Sequence, residues 1–392
     1  MPGLVITAAP AFVPFAPPSI GPEEIREVTE TLESGWLSTG PRVHRFEEAF
    51  AQYTGAAHAV AVNSCTAALH LSLVASGIGA GDEVITTPLT FCATANVIVH
   101  AGATPVFADI DPRTGNIDPG AVAAAITPRT RAIIPVHYGG RPVDIEAITA
   151  IAEPQGLVVI EDAAHCIEGV RSGRKIGATS PFTCFSFYAS KNLTTGEGGM
   201  ITTDSADAAA TMRMLSLHGL SQDAWTRYER GGSSHYDVVM PGFKYNMTDL
   251  QAAIGIHQLE AITRHFARRV EVWARYDEGF ADLPIARFDA VPQDDVHAHH
   301  LYTVLVDPQI MGRTRDEVAR SLADQEVASS QHFRALHLHS YYRDRFGFTR
   351  GMFPHAERIS DTVLSLPFSA SITDAQVDRV IEAFRHAVGA SR

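Results

Sequence analysis

Near the middle of the chain stands Ser186-Phe187-Tyr188-Ala189-Ser190-Lys191-Asn192, and upstream of it Leu157-Val158-Val159-Ile160-Glu161-Asp162-Ala163-Ala164-His165. Each stretch is an apolar run that ends in polar side chains, which predicts two buried strands. Parallel strands would deliver these polar groups to the same end of a sheet. An amine held there can form an imine with an aldehyde, and a buried carboxylate can keep a pyridine nitrogen protonated.

Predicted strands and helices alternate around these two stretches. The predicted strands are 58–62, 83–86, 105–108, 131–136, 157–160 and 183–187. The predicted helices are 66–75, 91–100, 118–125 and 144–153. This rhythm predicts an α/β fold in which a mostly parallel central sheet is flanked by helices on both faces. Such sheets bind ligands beyond the carboxyl ends of their strands, where the polar residues fall.

The flanking regions differ in character from this alternating part. The first twenty residues are rich in proline and predict an extended segment, and Pro22-Glu23-Glu24 predicts the start of a helix. Long amphipathic helices are predicted over 248–281, with Asn246 or Thr248 as the N-cap. Beyond them a strand at 301–306 and helices at 315–322 and 374–388 predict a smaller α+β domain. We therefore expect a large domain over 1–250 with an extended N-terminal segment, and interdomain helices with a smaller C-terminal domain over 251–392.

The composition narrows the class of protein. The chain has 392 residues, a net charge of −13 and 45% hydrophobic residues. An acidic globular chain is not expected to bind nucleic acid, which calls for a basic patch. No apolar stretch approaches the ~20 residues of a membrane span, and no signal peptide is evident. Four scattered cysteines predict reduced thiols in a cytoplasmic protein.

Asn63-Ser64-Cys65-Thr66-Ala67-Ala68-Leu69 follows the first predicted strand and opens a helix. Backbone N–H groups at a helix N-terminus bind phosphate, and the two hydroxyls would add donors. The alternative is an ordinary N-cap at Ser64 or Thr66. Phe91, after the second strand, could stack on a planar ring or could be a core aromatic.

Asp162 ends an apolar run, where an unpartnered carboxylate would be costly, so we expect it to have a partner. The partner could be a backbone N–H, a cation or a pyridinium. His165 could reach a ring oxygen or could be a structural histidine. Lys191 could lie in solvent. The apolar run over 182–187 that precedes it argues against this alternative. The glycines at 196, 198 and 199 that follow also argue against it, because they permit close backbone approach. Six histidines between 297 and 339 have irregular spacing, and we predict no metal site.

The order of these motifs is more specific than any one of them. The further motifs are Gly35-Trp36-Leu37-Ser38-Thr39-Gly40-Pro41, Gly81-Asp82-Glu83-Val84-Ile85, Gly196-Glu197-Gly198-Gly199, Tyr245-Asn246-Met247-Thr248-Asp249-Leu250-Gln251, Pro354-His355-Ala356-Glu357 and Leu364-Ser365-Leu366-Pro367. Together the series closely resembles the nucleotide-sugar aminotransferases of the DegT/StrS type, which are fold type I enzymes dependent on pyridoxal 5′-phosphate (PLP). The resemblance covers nearly the whole chain.

The resemblance implies a role for each motif residue. Lys191 would be the catalytic residue, forming the Schiff base with PLP and shuttling a proton, and Asp162 would pair with the pyridinium nitrogen. The implied cofactor-binding residues are Ser64, Cys65, Thr66, Phe91, Asp162, Ala164, His165, Ser186, Lys191 and Asn246. Phe91 and Ala164 would cover the two ring faces. Asn246 would reach the cofactor of a neighbouring subunit, so that a homodimer shares its active sites. Many relatives have glycine where this chain has Cys65, but a backbone N–H donor survives that change.

The implied reaction is an amino transfer in two halves. Glutamate would convert PLP to pyridoxamine 5′-phosphate, and the amine would then move to a nucleotide-linked ketosugar. Residues 188–191 and 242–246 look most like relatives that aminate C4 of 4-keto-6-deoxyhexoses, with dTDP as the expected nucleotide. The candidate substrate residues are Tyr188, Arg227, Arg230, Lys244 and His332.

Other functions remain open at this stage. A C3-ketosugar or cyclitol aminotransferase would use the same motifs. A PLP-dependent sugar dehydratase is disfavoured, because those relatives replace the lysine with histidine. A PLP-binding regulator is disfavoured by the intact lysine, aspartate and phosphate motifs, and by the absence of a recognisable DNA-binding segment.

Overall fold

A computed structural model describes residues 12–221 and 237–390. Its strands are β1 His58–Val62, β2 Glu83–Thr86, β3 Thr104–Phe107, β4 Thr130–Ile134, β5 Val158–Asp162, β6 Val170–Arg171, β7 Arg174–Lys175, β8 Phe182–Ser186, β9 Gly199–Thr203, β10 Tyr302–Leu305 and β11 Val363–Leu366. Seven of them form one sheet in the order β1-β9-β8-β5-β4-β2-β3. Within this sheet β9 runs antiparallel to both of its neighbours, and the other pairs are parallel. The predicted mostly parallel sheet is confirmed.

The helices cover both faces of this sheet. They are α1 Pro22–Ser34, α2 Pro41–Thr54, α3 Cys65–Ala75, α4 Cys92–His100, α5 Pro119–Ala125, α6 Ile145–Ala152, α7 Ala206–Ser216, α8 Asp249–Glu260, α9 Ile262–Gly279, α10 Pro308–Met311, α11 Arg315–Asp324, α12 Ser340–Phe346, α13 Pro354–Thr362 and α14 Asp374–Ala387. Because successive strand residues point to opposite faces, each strand contributes to two cores. Ile160 and Cys184 pack with α3, α4 and α7, whereas Phe185 packs with α2 and α8, and Val159 packs with α6.

Two details of the chain path differ from the sequence-based expectation. The strand β9 was not predicted, although it fills the place between β1 and β8. Between β5 and β8 the chain forms the small β6–β7 hairpin where the alternation would place a helix. Of the two possible caps for α8, Thr248 is the N-cap, and it forms a capping box with Gln251.

A second core surrounds the antiparallel pair β10–β11 and includes α9, α11 and α14. The extended N-terminal segment joins this core, since Val13 is buried in it and its N–H donates to the Glu326 carbonyl at 2.8 Å. The Phe368 N–H donates to the Phe15 carbonyl at 2.9 Å. These bonds fix Phe15 beside the carboxyl ends of the large sheet. The division into domains at residue 250 stays a prediction.

None of the helices within the described ranges is both long and apolar enough to cross a membrane.

Candidate active site

A cavity of about 590 Å³ opens beyond the carboxyl ends of the strands in the large sheet. Eleven residues predicted from sequence line it: Ser64, Cys65, Thr66, Phe91, Asp162, Ala164, His165, Ser186, Tyr188, Lys191 and His332. The volume falls within the range of about 300–1,000 Å³ found for small-molecule sites. A second cavity of about 490 Å³, beside Arg141 and Trp273, is lined by none of the predicted residues.

Lys191 lies in a turn that follows β8 directly. Its N–H donates to the Tyr188 carbonyl at 2.9 Å, which closes the turn and directs the side chain to the cavity. Burial lowers the pKa of the Lys191 amine to about 8, against the opposing influence of Cys65 and Asp162. A substantial fraction of the amine is therefore neutral near physiological pH, which is the form that attacks a carbonyl.

Asp162 is the last residue of β5 and is only 5% exposed. Its Oδ2 accepts a hydrogen bond from the Thr94 hydroxyl at 2.8 Å, and its Oδ1 accepts one from the Ala164 N–H at 3.1 Å. Burial raises the pKa of the Asp162 carboxyl, and the two hydrogen bonds oppose that rise. The carboxylate has the partner that the sequence demanded, and its environment favours a cation in the adjoining space.

The start of α3 offers anion-binding groups at the other end of the cavity. Ser64 is the N-cap, since its Oγ accepts from the Ala67 N–H at 3.1 Å. Within the described residues, no protein group accepts a hydrogen bond from the N–H of Cys65 or Thr66. A Cβ at Gly199 would lie 2.5 Å from the Ser64 carbonyl carbon, so glycine allows β9 to pack closely against this turn. The cap and the phosphate interpretation are therefore compatible.

The Cys65 side chain departs from the glycine of many relatives without obstructing this site. The residue is buried, and burial raises the pKa of its thiol well above the ordinary value. The thiol stays protonated, and the backbone N–H remains the group that faces an anion. Ser186, at the end of β8, adds a hydroxyl to the same cavity.

Phe91 is 60% exposed, so the alternative reading of this residue as a core aromatic is wrong. Its ring lies at the cavity, 6.2 Å from the ring of Phe333, and Ala164 also lines the wall. An exposed aromatic ring at the mouth of a cavity is suited to stacking on a flat ligand.

His165 is buried, and its Nδ1 has no hydrogen-bond partner in the described part of the chain. Burial lowers the pKa of its imidazole well below the ordinary value, and Lys191 adds to this effect. The ring lies 4.3 Å from the ring of His300 and 5.8 Å from that of Phe333. This Nδ1 nitrogen is therefore available to bond a ligand atom in the cavity.

Four predicted residues are not among those that line the cavity. Arg227 and Arg230 lie outside the described residues. Lys244 is exposed, and its backbone carbonyl accepts from the Asn63 amide at 3.2 Å. Asn246 donates from Nδ2 to the Thr39 hydroxyl at 2.7 Å. The structure therefore leaves Lys244 and Asn246 outside this cavity.

Several cavity residues were missed by the sequence analysis: Phe15, Thr90, Thr94, His300 and Phe333. Thr94 lies in the first turn of α4 and Thr90 lies just before the helix, and their hydroxyls are 2.8 Å from each other. That spacing beside Phe91 was a usable signal. Phe15 is far from the other residues in sequence, and no local pattern marks it.

The side chains present fit PLP. Lys191 offers an amine to an aldehyde, Asp162 a carboxylate to a pyridinium, and the α3 N-terminus two free N–H donors to a phosphate. The unpartnered Nδ1 of His165 matches a ring oxygen. In contrast, no group of three histidine, cysteine or carboxylate side chains within 12–221 and 237–390 is arranged to hold a metal ion.

Comparison with known proteins gives consistent results. Residues 18–385 match the model of the DegT/DnrJ/EryC1/StrS aminotransferase family. The chain is similar to the spore coat polysaccharide biosynthesis protein SpsC of Bacillus subtilis, with 53% identity over 96% of this chain and 97% of SpsC.

Solved structures are similar over nearly the whole fold. The PLP-form of Streptococcus pneumoniae Spr1654, provisionally described as a sugar aminotransferase, has 34% identity and a TM-score of 0.89, covering 96% of this chain and 98% of that one. DesI, crystallised in the presence of its TDP-sugar product, has 35% identity and a TM-score of 0.85, covering 97% of this chain and 94% of that one.

Proposed function

The chain belongs to the DegT/DnrJ/EryC1/StrS family of PLP-dependent sugar aminotransferases, and on that premise we propose that it aminates C4 of a nucleotide-linked 4-keto-6-deoxyhexose with glutamate as donor. The expected nucleotide is dTDP. In the net reaction the amino group leaves glutamate, which becomes 2-oxoglutarate, and the sugar ketone becomes an amine. The TDP-sugar product of DesI supports this substrate class by similarity.

The observation that carries the proposal is the placement of Lys191 and Asp162 in one cavity. Bound PLP supplies an aldehyde that receives the amino group and a ring that withdraws electrons from the reacting carbon. Lys191 removes the proton from Cα of glutamate in the first half-reaction, and delivers a proton to the sugar carbon in the second. Its pKa of about 8 suits both directions, because both protonation states of the amine are populated near neutral pH.

The remaining residues bind and orient the cofactor. Asp162 would hold a proton on the pyridine nitrogen through its carboxylate. The N–H groups of Cys65 and Thr66 would bind the phosphate, and the hydroxyls of Ser64 and Ser186, which line the same cavity, would add polar contacts. Phe91 and Ala164 would confine the two faces of the ring, and His165 would hold its phenolic oxygen.

The sugar would enter between Tyr188 and His332. Tyr188 is 50% exposed at the cavity, and the Nδ1 of His332 lies 2.8 Å from the Ser365 hydroxyl. Burial lowers the pKa of His332 to about 4, and Lys191 contributes to that shift, so the imidazole is neutral at pH 7. A neutral imidazole can exchange hydrogen bonds with sugar hydroxyls without repelling the Lys191 ammonium. Phe15 and Phe333 exclude water from the same wall.

A homodimer would complete the site. The exposed apolar residues Ile25 and Leu32 lie two turns apart on one face of α1, and Leu37 follows them. Such a face fits a second copy of the chain. Asn246 and Lys244, which lie outside the cavity of their own subunit, would then reach the cofactor and the nucleotide of the partner. Arg227 and Arg230 are further candidates for binding the nucleotide diphosphate.

Amination of a C3-ketosugar or of a cyclitol ketone would use the same lysine and the same phosphate-binding groups. A panel of nucleotide-linked 3-keto and 4-keto sugars, incubated with glutamate and the purified enzyme, decides between them when NMR locates the new amine. Amination at C4 of a dTDP-4-keto-6-deoxyhexose is expected. If the enzyme aminates only C3 or only a cyclitol ketone, the proposed C4 substrate is wrong.

The colour of the protein tests the proposed amino donor. Glutamate should convert the yellow PLP-loaded protein to a colourless form in the absence of sugar, whereas an enzyme that uses another donor would stay yellow.

The four cysteines are all unpaired, which is compatible with the proposed cytoplasmic location.

A further inference from the structure

A chain of buried and partly buried polar groups leads from the active-site turn to helix α9. Asn192 follows Lys191 directly, and its Nδ2 donates to Glu168 Oε2 at 2.7 Å and to the Ala298 carbonyl at 2.9 Å. Its Oδ1 lies 2.9 Å from Nδ1 of His300. Glu168 in turn forms a buried ion pair with Arg269. Both partners of that pair are no more than 5% exposed, so solvent does not screen it.

These contacts fix the orientation of the Asn192 amide. A carboxylate and a carbonyl can only accept hydrogen bonds, so the NH₂ group must face Glu168 and Ala298. A flipped amide would place its oxygen against two other acceptors. The Oδ1 atom is thereby left for His300, and because it can only accept, the Nδ1 of His300 must carry a proton.

His300 is buried and lines the active-site cavity, where its ring lies 4.3 Å from that of His165. With Nδ1 protonated, the neutral ring leaves Nε2 as an unprotonated acceptor. Burial lowers the pKa of the imidazole well below the ordinary value, and Lys191 is the leading charged contributor to that shift. The ring is therefore neutral beside the amine.

We propose that Asn192 and His300 are positioning residues for transamination, and that the Arg269–Glu168 pair sets their geometry. Through Asn192, the pair fixes His300 as the Nδ1–H tautomer. His300 then supports the ring of His165 and anchors the turn that carries Lys191. This inference rests on the proposed role of Lys191 as the proton-transferring group.

The charged and titratable groups that surround His300 all bear on this geometry. They are Lys191 in the turn, His165 after β5, Glu168 in the β5–β8 connection, Arg269 on α9, His297 in the segment before β10, and His332 in the segment before α12. Glu168 is the anion among them and lies next to Arg269, so its charge is neutralised there. A protonated His300 would add a cation beside Lys191 and would lose the Nε2 acceptor.

The tautomer can be read without any assay of turnover. Holoenzyme labelled with ¹⁵N-histidine should give two-bond ¹H–¹⁵N correlations in which His300 is neutral with a proton on Nδ1 from pH 6 to 8; His300→Asn, which lacks the imidazole, assigns the signal. An Nε2–H tautomer or an imidazolium in the wild-type protein would overturn the inference. In Asn192→Leu, which keeps the approximate size of the side chain but lacks the Oδ1 acceptor, the preference for the Nδ1–H tautomer should be lost. An unchanged pattern would contradict the role given to Asn192.

Kinetics test the positioning itself. His300→Phe keeps a ring but removes the donor, and should slow the glutamate half-reaction by about 10- to 100-fold and shift its pH profile. His300→Asn places an amide N–H where Nδ1–H stood, and should recover at least part of that loss. The matched control is His337→Gln. His337 is buried like His300, and its Nε2 lies 2.9 Å from Glu357 Oε1, but it lines neither cavity, so this variant should react at the wild-type rate.

The two proposals fail in different ways. If wild-type enzyme completes the glutamate half-reaction but aminates no 4-keto sugar, the proposed substrate is wrong and the tautomer result stands. If His300→Phe and His300→Asn both react with glutamate at the wild-type rate and pH profile, the positioning role is wrong whatever the sugar.

Discussion

The hydroxyl of Thr94 donates a hydrogen bond to the buried carboxylate of Asp162 at 2.8 Å. The two residues come from different elements: Asp162 ends β5, and Thr94 lies in the first turn of α4. The hydroxyl of Thr90 lies 2.8 Å from that of Thr94, so a short hydroxyl chain leads to the carboxylate. This contact orients the group that would face the pyridine ring of PLP.

Replacement of Thr94 by valine should weaken the retention of PLP. The substitution keeps the shape of the side chain but removes one donor from a buried carboxylate, whose pKa burial already raises. The loss of about 1 kcal/mol corresponds to about a fivefold rise in the dissociation constant. Absorbance titration of the apo protein with PLP measures it. Thr94→Ser, which keeps the hydroxyl, is the control and should bind as the wild type does.

Thr94 also shows where sequence reasoning stopped. The paired runs that end in Asp162 and Lys191 predicted strands, and strand ends of a parallel sheet meet at one edge, so the meeting of Lys191, Asp162 and the α3 N-terminus could be predicted. His300 could not be predicted, because an imidazole carries no periodic signal of its own, and the sequence marks Thr94 only by its four-residue spacing from Thr90. Their partners are fixed only by tertiary packing. The extended segment around Phe15 is held by backbone bonds to the small sheet, and these leave no mark in the local sequence.

Replacement of Lys191 by methionine should stabilise the apo protein at neutral pH. Burial lowers the pKa of Lys191 from 10.5 to about 8. Between these values the folded chain binds fewer protons than the unfolded chain, so the free energy of unfolding of the wild type rises with pH across that window. Below pH 8 the cost of the buried ammonium is present in full. Allowing for the partial exposure of the side chain, methionine should add about 2 kcal/mol at pH 7.

Urea denaturation of the two apo proteins at pH 7 and above pH 10.5 measures this difference. The advantage of Lys191→Met should shrink at the higher pH, where the wild-type amine is neutral in both states. Lys244→Met, at an exposed lysine, is the control for the loss of a lysine side chain. Equal stability of Lys191→Met and wild type at both pH values would mean that the ammonium is well solvated in the empty cavity.

Introduction of a charge on α1 should separate the proposed dimer. Leu32 is 55% exposed in the single chain, and glutamate there would bury a charge in an apolar interface. We expect Leu32→Glu to sediment as a monomer at micromolar concentration. Its PLP should dissociate more readily, because Asn246 would no longer reach the partner's site. Ile310→Glu provides the comparison: Ile310 is 57% exposed on α10, and its substitution should leave the sedimentation of the protein unchanged.

His332 provides a test of the sugar side of the cavity. The pKa of His332 is lowered to about 4 by burial and by Lys191, so the imidazole stays neutral throughout the range from pH 6 to 8. If a neutral His332 binds the sugar, its titration should not change the KM for the nucleotide sugar between pH 6 and 8. A KM that rises as the pH falls through 6.5 would indicate an ordinary, solvated histidine.

Replacement of His332 by alanine should then separate the two half-reactions. The KM for the sugar should rise about tenfold, as expected for the loss of a hydrogen bond in a partly enclosed site. The glutamate half-reaction, measured from the loss of visible absorption, should change by less than about twofold, because the proposal assigns His332 to the sugar and not to glutamate. Ser365→Ala removes the hydroxyl that lies 2.8 Å from Nδ1 and should give a smaller rise in KM. If both half-reactions slow equally, His332 acts through Lys191, which serves both of them, and not through the sugar.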